Sequence, residues 1–136
     1  MKINLKFLDD KVYETTNESG NSIRIDMKDA QEKEYQSPMQ LLLSATVACA
    51  AVDIVSMVKK KRKTFVNLEA EIDGNRRDEY PRKFTDIDIK YILTSPDTTE
   101  AEFEKVVALA VEKYCSVAGS LDKDINLTHR VEIKQP

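Results

Sequence analysis

Alternation of apolar and polar residues predicts β-strands in the first third of the chain. Apolar side chains occupy every second position over residues 3–7 and again over 23–27, the period of a strand with one covered face. Residues 12–15 lie between two polar turns and suit a strand that pairs with its neighbours as hairpins. Residues 28–36 are almost entirely polar, so we expect a loop before the next element.

A long helix is predicted next, and its start is well marked. Ser37 suits the N-cap position, and Pro38 suits the first helical position because its missing N–H would lack an intrahelical acceptor there anyway. Residues 41–58 are nearly all apolar or small, with Asp53 as the only formal charge. The basic run 59–63 suits a solvated helix C-terminus better than a membrane flank or a nucleic-acid site. Because a charge is costly in hydrocarbon, we expect a buried core helix and no membrane.

The second half repeats the order of strands followed by a helix. Alternation predicts strands over residues 66–72 and 87–93, and a last strand over 127–133. Between them, Thr99 and Glu102 have the spacing of a capping box and begin an amphipathic helix. The hairpins favour antiparallel pairing, so the fold class is mixed α/β of the α+β kind, with residues 1–136 as one domain. The all-apolar first helix needs more cover than one small sheet provides, and a second copy of the chain would supply it.

Composition narrows the range of functions. The chain has 136 residues, of which 41% are hydrophobic and 33% are charged, and its formal net charge is −3. This is the composition of a globular protein, and the acidic balance argues against general nucleic-acid binding. The first six residues alternate rather than form an apolar run, so we expect no signal peptide and a cytoplasmic location.

Two cysteines carry the only evident chemistry. Cys49 falls in the middle of the apolar helix, and Cys115 falls on the apolar stripe of the second helix. They are either two small hydrophobic residues of the core or a redox pair that meets where the helices pack. The spacing of the cysteines and the histidine does not suggest a metal site. His129, the single histidine, lies on the last strand, and we expect it to be structural.

Three motifs resemble a known family. Residues 37–45 running into Cys49, with the basic ending 59–62, look like the cysteine helix of OsmC/Ohr-type proteins. The Arg76 to Pro81 segment and the following strand look like the next part of that family, and residues 112–117 resemble its second cysteine motif. The match follows the chain in order from residue 20 to residue 130 and is nearest to the OsmC-like branch.

The resemblance implies an architecture and an activity. Members form intertwined homodimers with two central helices packed on antiparallel sheets and with sites at the subunit interface. The implied activity is reduction of organic hydroperoxides without a cofactor, with Cys49 as the peroxidatic thiol, Cys115 as the resolving thiol and an external dithiol as reductant. The alternative is an OsmC-type dimeric module without peroxidase activity that binds a small apolar ligand.

The residues that activate the thiol are less defined by the resemblance. In the peroxidase branches a Glu stands ten residues before the reactive cysteine and holds an Arg beside it, whereas this chain has Met39 there and Gln40 next to it. Asp53, one helical turn after Cys49, either forms an ion pair or borders the pocket. Tyr114 either fills the core or walls the pocket. The candidates for the pocket and for activation are therefore Arg24, Arg76, Met39, Gln40, Asp53 and Tyr114.

Overall fold

The computed structural model describes residues 1–136, which form two compact units, Met1–Leu42 and Leu43–Pro136. The mixed α+β class predicted from the sequence is confirmed. Whether the chain is one domain stays a prediction. The elements in chain order are β1 Ile3–Asp9, β2 Val12–Asn17, β3 Ser22–Asp26, α1 Pro38–Lys60, β4 Asn67–Arg76, β5 Phe84–Thr94, α2 Glu100–Leu109, a π-helical turn Ala110–Tyr114, α3 Ser116–Gly119 and β6 Asn126–Lys134.

The first unit is built on an antiparallel sheet of three strands in the order β1-β2-β3. In its register Phe7 pairs with Tyr13 and Leu5 with Thr15, so the alternating apolar side chains share one face. That face is open: Ile3, Leu5 and Phe7 are about 60% exposed (58%, 65% and 62%). The first sheet therefore presents apolar surface that the chain itself does not cover.

Asp26 anchors the polar loop that follows β3. Its buried carboxylate accepts hydrogen bonds from the backbone N–H groups of Lys28, Glu34 and Tyr35, at 2.7–2.9 Å, and from the Lys33 ammonium at 3.2 Å. Burial raises the pKa of Asp26, but these donors lower it more, and the net pKa lies well below the ordinary value. The charged carboxylate thus holds the loop closed.

Helix α1 begins where the sequence predicts. The Ser37 hydroxyl accepts the Gln40 N–H at 3.1 Å, and the Gln40 side-chain oxygen accepts the Ser37 N–H at 2.9 Å, which is a reciprocal capping box. The helix is long and apolar enough to cross a membrane. However, its fully buried residues recur every four positions along one face, as in a helix packed on a protein core. These residues are Thr46, Ala50, Ile54 and Val58.

The opposite side of α1 differs from the expectation of a helix buried on most sides. Ala45, Ala48 and Val52 are exposed, and Val52 is 72% exposed. Their spacing of three and four residues places them on one stripe. The chain alone therefore leaves an apolar stripe of this helix without cover.

The second sheet has the order β4-β5-β6, with β5 in the centre. The prediction of purely antiparallel sheets is wrong here, because β6 pairs with β5 in parallel. The connection between them contains α2, and such a strand–helix–strand crossover brings the second strand back in the same direction as the first. Central strand β5 supplies much of the core through Ile87, Ile89, Tyr91 and Leu93.

The second helical region departs from the predicted single helix. Helix α2 has the expected capping box between Thr99 and Glu102. After Leu109 the chain widens into a π-helical turn, in which the Cys115 N–H donates to the Ala110 carbonyl at 2.8 Å. Cys115 itself has an extended backbone and caps the short helix α3. The extra residue in this turn redirects the chain just before the second cysteine.

Candidate active site

The two cysteines meet in the second unit. Cys49 lies midway along α1 and is partly exposed, whereas Cys115 precedes α3 and is buried. Both are free thiols, and they lie close enough together for the Cys115 thiol to lower the pKa of Cys49. The predicted meeting of the two residues is thus observed, although Cys115 reaches Cys49 from the end of a π-helical turn rather than from a helical face.

The surroundings of Cys49 favour its thiolate. The backbone N–H of Val117 lowers the pKa of Cys49 most, and the Cys115 thiol and the Ser116 N–H lower it further. Burial and the negative charge of Asp53 raise the pKa but are outweighed. None of these groups is a cation, and the donors that lower the pKa are the Cys115 thiol and the backbone amides at the start of α3.

Cys115 has the opposite character. Burial raises its pKa, and so does the neighbouring Cys49, although the N–H groups of Ala118 and Val117 act in the other direction. Its sulfur accepts the Ala118 N–H at 3.3 Å and lies 3.7 Å from the Thr46 carbonyl oxygen, to which the thiol can donate. The pair is therefore unequal, with a partly exposed thiol whose pKa is lowered beside a buried thiol whose pKa is raised.

Tyr91 of β5 lies near both cysteines. Its ring is fully buried, and its hydroxyl donates to the Val47 carbonyl at 2.8 Å. Burial, together with the two nearby cysteines, raises the pKa of Tyr91 well above its ordinary value. The tyrosine thus remains neutral and fixes α1 against the sheet, two residues before Cys49.

An open groove adjoins the two segments that carry the cysteines, although neither cysteine lines it. It has a volume of about 260 Å³ and is lined by Asp53, Ser56, Met57, Lys60 and Tyr114. Asp53 makes no ion pair within the chain, and Tyr114 is 52% exposed, so it borders the groove rather than filling the core. The lining mixes polar and apolar side chains and carries charges of both signs.

The remaining candidates have other partners. The Gln40 side-chain oxygen is engaged in the capping box, next to Met39 in the first turn of α1. Arg24 contacts Glu14 at 3.4 Å and the Tyr35 hydroxyl at 3.2 Å. Arg76 donates to the Arg82 carbonyl at 2.7 Å, at the far end of β4. These contacts are local to each unit, and the pocket and activation roles of these residues stay predictions.

His129 also has a local partner. Its Nε2 lies 3.4 Å from Glu112 of the π-helical turn, and its Nδ1 is buried without a partner. It takes no part in the hydrogen bonds around Cys49 or Cys115, as expected of a structural histidine.

Sequence reasoning missed the groups that act through the backbone. The amides of Ser116 and Val117 carry no side-chain signal, and Tyr91 reads as an ordinary core position of β5. Lys60 belongs to the predicted basic end of α1, and in the structure it also borders the groove. A usable signal was its spacing of seven residues from Asp53, which places both on one side of α1.

Comparison with known proteins decides the family. A family model described as OsmC-like protein matches residues 30–130. The chain belongs to the OsmC-like protein family. A similar sequence is protein YhfA of Escherichia coli K12, which is 35% identical over 133 residues, or 98% of each chain.

Solved structures agree with the OsmC-like assignment. A hypothetical protein from Aquifex aeolicus VF5 superposes with a TM-score of 0.86 at 28% identity, over 99% of this chain and 96% of its own. The organic hydroperoxide resistance protein OhrB of Bacillus subtilis has a TM-score of 0.61 at 16% identity, over 98% and 96% of the two chains. At that identity OhrB shows the shared fold alone.

Proposed function

We propose that this OsmC-like protein is a thiol peroxidase that reduces organic hydroperoxides. The observation that carries the proposal is the unequal pair, in which Cys49 is partly exposed with a lowered pKa and lies beside the buried Cys115, whose pKa is raised. A peroxidatic sulfur must be a thiolate that a peroxide can reach, and a resolving thiol must lie within bonding reach of it. The similarity in fold to OhrB is consistent with this chemistry.

The proposed cycle has three balanced steps. The Cys49 thiolate attacks one peroxide oxygen, the O–O bond breaks, and the alkoxide takes a proton from water to leave as an alcohol. The sulfur, oxidised by two electrons to sulfenic acid, condenses with the Cys115 thiol to give a disulfide and one water. Two thiol groups of an external reductant then restore both cysteines through a mixed disulfide.

The proposal includes a homodimer, which family membership and the exposed apolar surfaces both favour. Val52 on α1 and Leu5 and Phe7 on the first sheet are each more than 60% exposed, and a second copy is the simplest cover for them. A module that binds a small apolar ligand has weaker support, because the groove beside the cysteines carries the charges of Asp53 and Lys60.

The test is stopped-flow oxidation of the reduced protein by cumene hydroperoxide. We expect Cys49→Ser to abolish fast oxidation, because no thiolate is left to attack. We expect Cys115→Ser to keep the first oxidation but to stop at sulfenic acid, which is trapped with dimedone and weighed by mass spectrometry. Wild-type protein should end with one disulfide between Cys49 and Cys115.

Equal slow peroxide consumption by wild type and by Cys49→Ser would reject the peroxidase function. So would fast oxidation that leaves Cys115 alkylatable in the wild-type protein.

A further inference from the structure

Two consecutive backbone carbonyls of α1 are contacted by side chains, in the turn that leads into Cys49. The Thr46 carbonyl oxygen lies 3.7 Å from the Cys115 sulfur, and the Val47 carbonyl accepts a hydrogen bond from the Tyr91 hydroxyl at 2.8 Å. A carbonyl oxygen has two lone pairs, so neither contact displaces the N–H partner that the carbonyl has within the helix. The turn that leads to the reactive sulfur is therefore held from outside the helix at two adjacent positions.

These two contacts respond differently to oxidation. The Cys115 thiol loses its hydrogen when it forms a disulfide, so it can no longer donate to the Thr46 carbonyl. The Tyr91 hydroxyl takes no part in that chemistry, and its side chain is fully buried in the central strand β5. Burial and the nearness of both cysteines raise the pKa of Tyr91, so the hydroxyl keeps its proton. Of the two donors, only the tyrosine is therefore present throughout the redox cycle.

We infer that Tyr91 is a positioning residue for disulfide formation, and that its hydroxyl, by holding the Val47 carbonyl, keeps the Cys49 sulfur within reach of Cys115. The inference rests on the proposed function, since it concerns the second step of that cycle. Cys49 follows Val47 by two residues, about half a helical turn, so a shift of this carbonyl moves the sulfur with it. Strand β5 is paired on both sides, and the hydroxyl is therefore a fixed point for this part of α1.

Only the second step of the cycle needs the two sulfurs to approach one another. In that step the Cys115 sulfur loses its proton and attacks the sulfur of the Cys49 sulfenic acid, the S–O bond breaks, and the hydroxide takes up the proton as water. The first step, attack of the Cys49 thiolate on the peroxide, does not involve Cys115. Tyr91 is not among the main groups that shift the pKa of Cys49. Loss of the tyrosine hydroxyl should therefore slow disulfide formation and spare the first oxidation.

The experiment separates the two sulfur steps without a peroxide. Reduced protein is mixed in a stopped-flow instrument with dithiobis(nitrobenzoate), a disulfide whose released thiolate is coloured. The Cys49 thiolate attacks this reagent, forms a mixed disulfide and releases the first nitrobenzoate thiolate. Cys115 then attacks the Cys49 sulfur, releases the second and closes the protein disulfide, so the protein loses two electrons and the reagent gains two. The first phase depends on the reagent concentration, whereas the second is intramolecular and does not.

We expect Tyr91→Phe to slow the second phase roughly tenfold and to leave the first phase within about twofold of wild type, because small misplacements of reacting groups are costly in rate. Phenylalanine keeps the ring that fills this core position and removes only the hydroxyl. Ser95→Ala is the matched control, because it also removes a buried, hydrogen-bonded hydroxyl, directly after β5, and it should slow neither phase. Site-specific 3-fluorotyrosine at position 91 returns a hydroxyl and should restore the second phase. A role in stability alone would give Tyr91→Phe and Ser95→Ala the same kinetics.

A second measurement uses the wild-type protein alone. The buried Tyr91 hydroxyl proton should give a slowly exchanging NMR signal in both the dithiol and the disulfide forms, because its bond to the Val47 carbonyl persists through oxidation. Loss of this signal on oxidation, or equal second phases in wild type and Tyr91→Phe, would overturn the inference. Absence of fast oxidation by cumene hydroperoxide would instead reject the peroxidase proposal and leave these comparisons unaffected.

Discussion

At the scale of single residues, the chemistry depends on which groups point at each sulfur. Cys49 and Cys115 have the same side chain, yet amide donors lower the pKa of one and burial raises that of the other. The same competition between burial and backbone donors acts at Asp26, where the donors win and the carboxylate stays charged. The local arrangement of N–H groups therefore decides charge state at both positions.

Asp26 gives a prediction for stability against pH. Its pKa is lowered in the folded chain, so its contribution to stability is fully present above about pH 4, the ordinary range of an unfolded Asp, and is lost as the pH falls toward the folded value. We expect Asp26→Asn to lower the urea midpoint at pH 7, with a difference from wild type that shrinks progressively from pH 5 to pH 2.

The control for this experiment is Asp29→Asn, an exposed carboxylate in the same loop, which should follow the wild-type curve. If Asp26→Asn also ran parallel to wild type at every pH, the buried carboxylate would not be the source of the acid sensitivity.

At the scale of elements, the start of α3 supplies the backbone N–H groups that lower the pKa of Cys49. Cys115 has φ −70° and ψ 103°, an extended conformation that suits a residue before proline, and Ser116 is the first residue of the short helix. Proline is well tolerated at a first helical position. This allows one amide donor to be removed with little change in fold.

We therefore expect Ser116→Pro to raise the apparent pKa of Cys49 and to slow its oxidation at pH 7 severalfold, because the N–H of residue 116 is lost. Ser116→Ala keeps the N–H and should behave as wild type. The pKa is read from the pH dependence of iodoacetamide alkylation in the Cys115→Ser background. A Ser116→Pro protein with an unchanged alkylation profile would show that this amide does not stabilise the thiolate.

Most of the strands and helices could be predicted from the sequence alone. Alternation located five of the six strands and turn signals located β2, while Ser37 and Thr99 marked the starts of α1 and α2, because periodicity, turns and capping are local properties. Parallel pairing of β6 and the π-helical turn were missed, because each depends on packing between distant segments. The sequence identifies both cysteines but not the amides that lower the pKa of Cys49, because every residue except proline has a backbone N–H and the sequence does not mark which ones face the sulfur.

At the scale of the whole molecule, the exposed apolar surface needs a partner. Helix α1 leaves Ala45, Ala48 and Val52 uncovered, and the first sheet leaves Leu5 and Phe7 uncovered. Apolar surface of this extent in a folded chain typically marks an interface. An association of two copies would also enclose the surroundings of Cys49, because Cys49 directly follows Ala48 on the helix.

We expect the wild-type protein to have twice the chain mass of 15.5 kDa in light scattering, and Val52→Lys to shift it toward the single-chain mass. A buried, unpaired charge at such a contact is costly, so the shift should appear at micromolar concentration. Leu109→Lys, which changes an exposed apolar residue on α2, should stay dimeric. A wild-type protein of 15.5 kDa would contradict the homodimer.

The widened turn at Ala110–Tyr114 has a consequence for how this chain tolerates change. A helix advances about 100° with each residue, so an insertion or deletion in that turn would swing Cys115 about a quarter of a revolution away from its partner. Substitutions at the solvent-facing Glu112 and Lys113 would leave the direction of the chain unaltered. The meeting of the two sulfurs is therefore governed by the number of residues in this stretch more than by their kind.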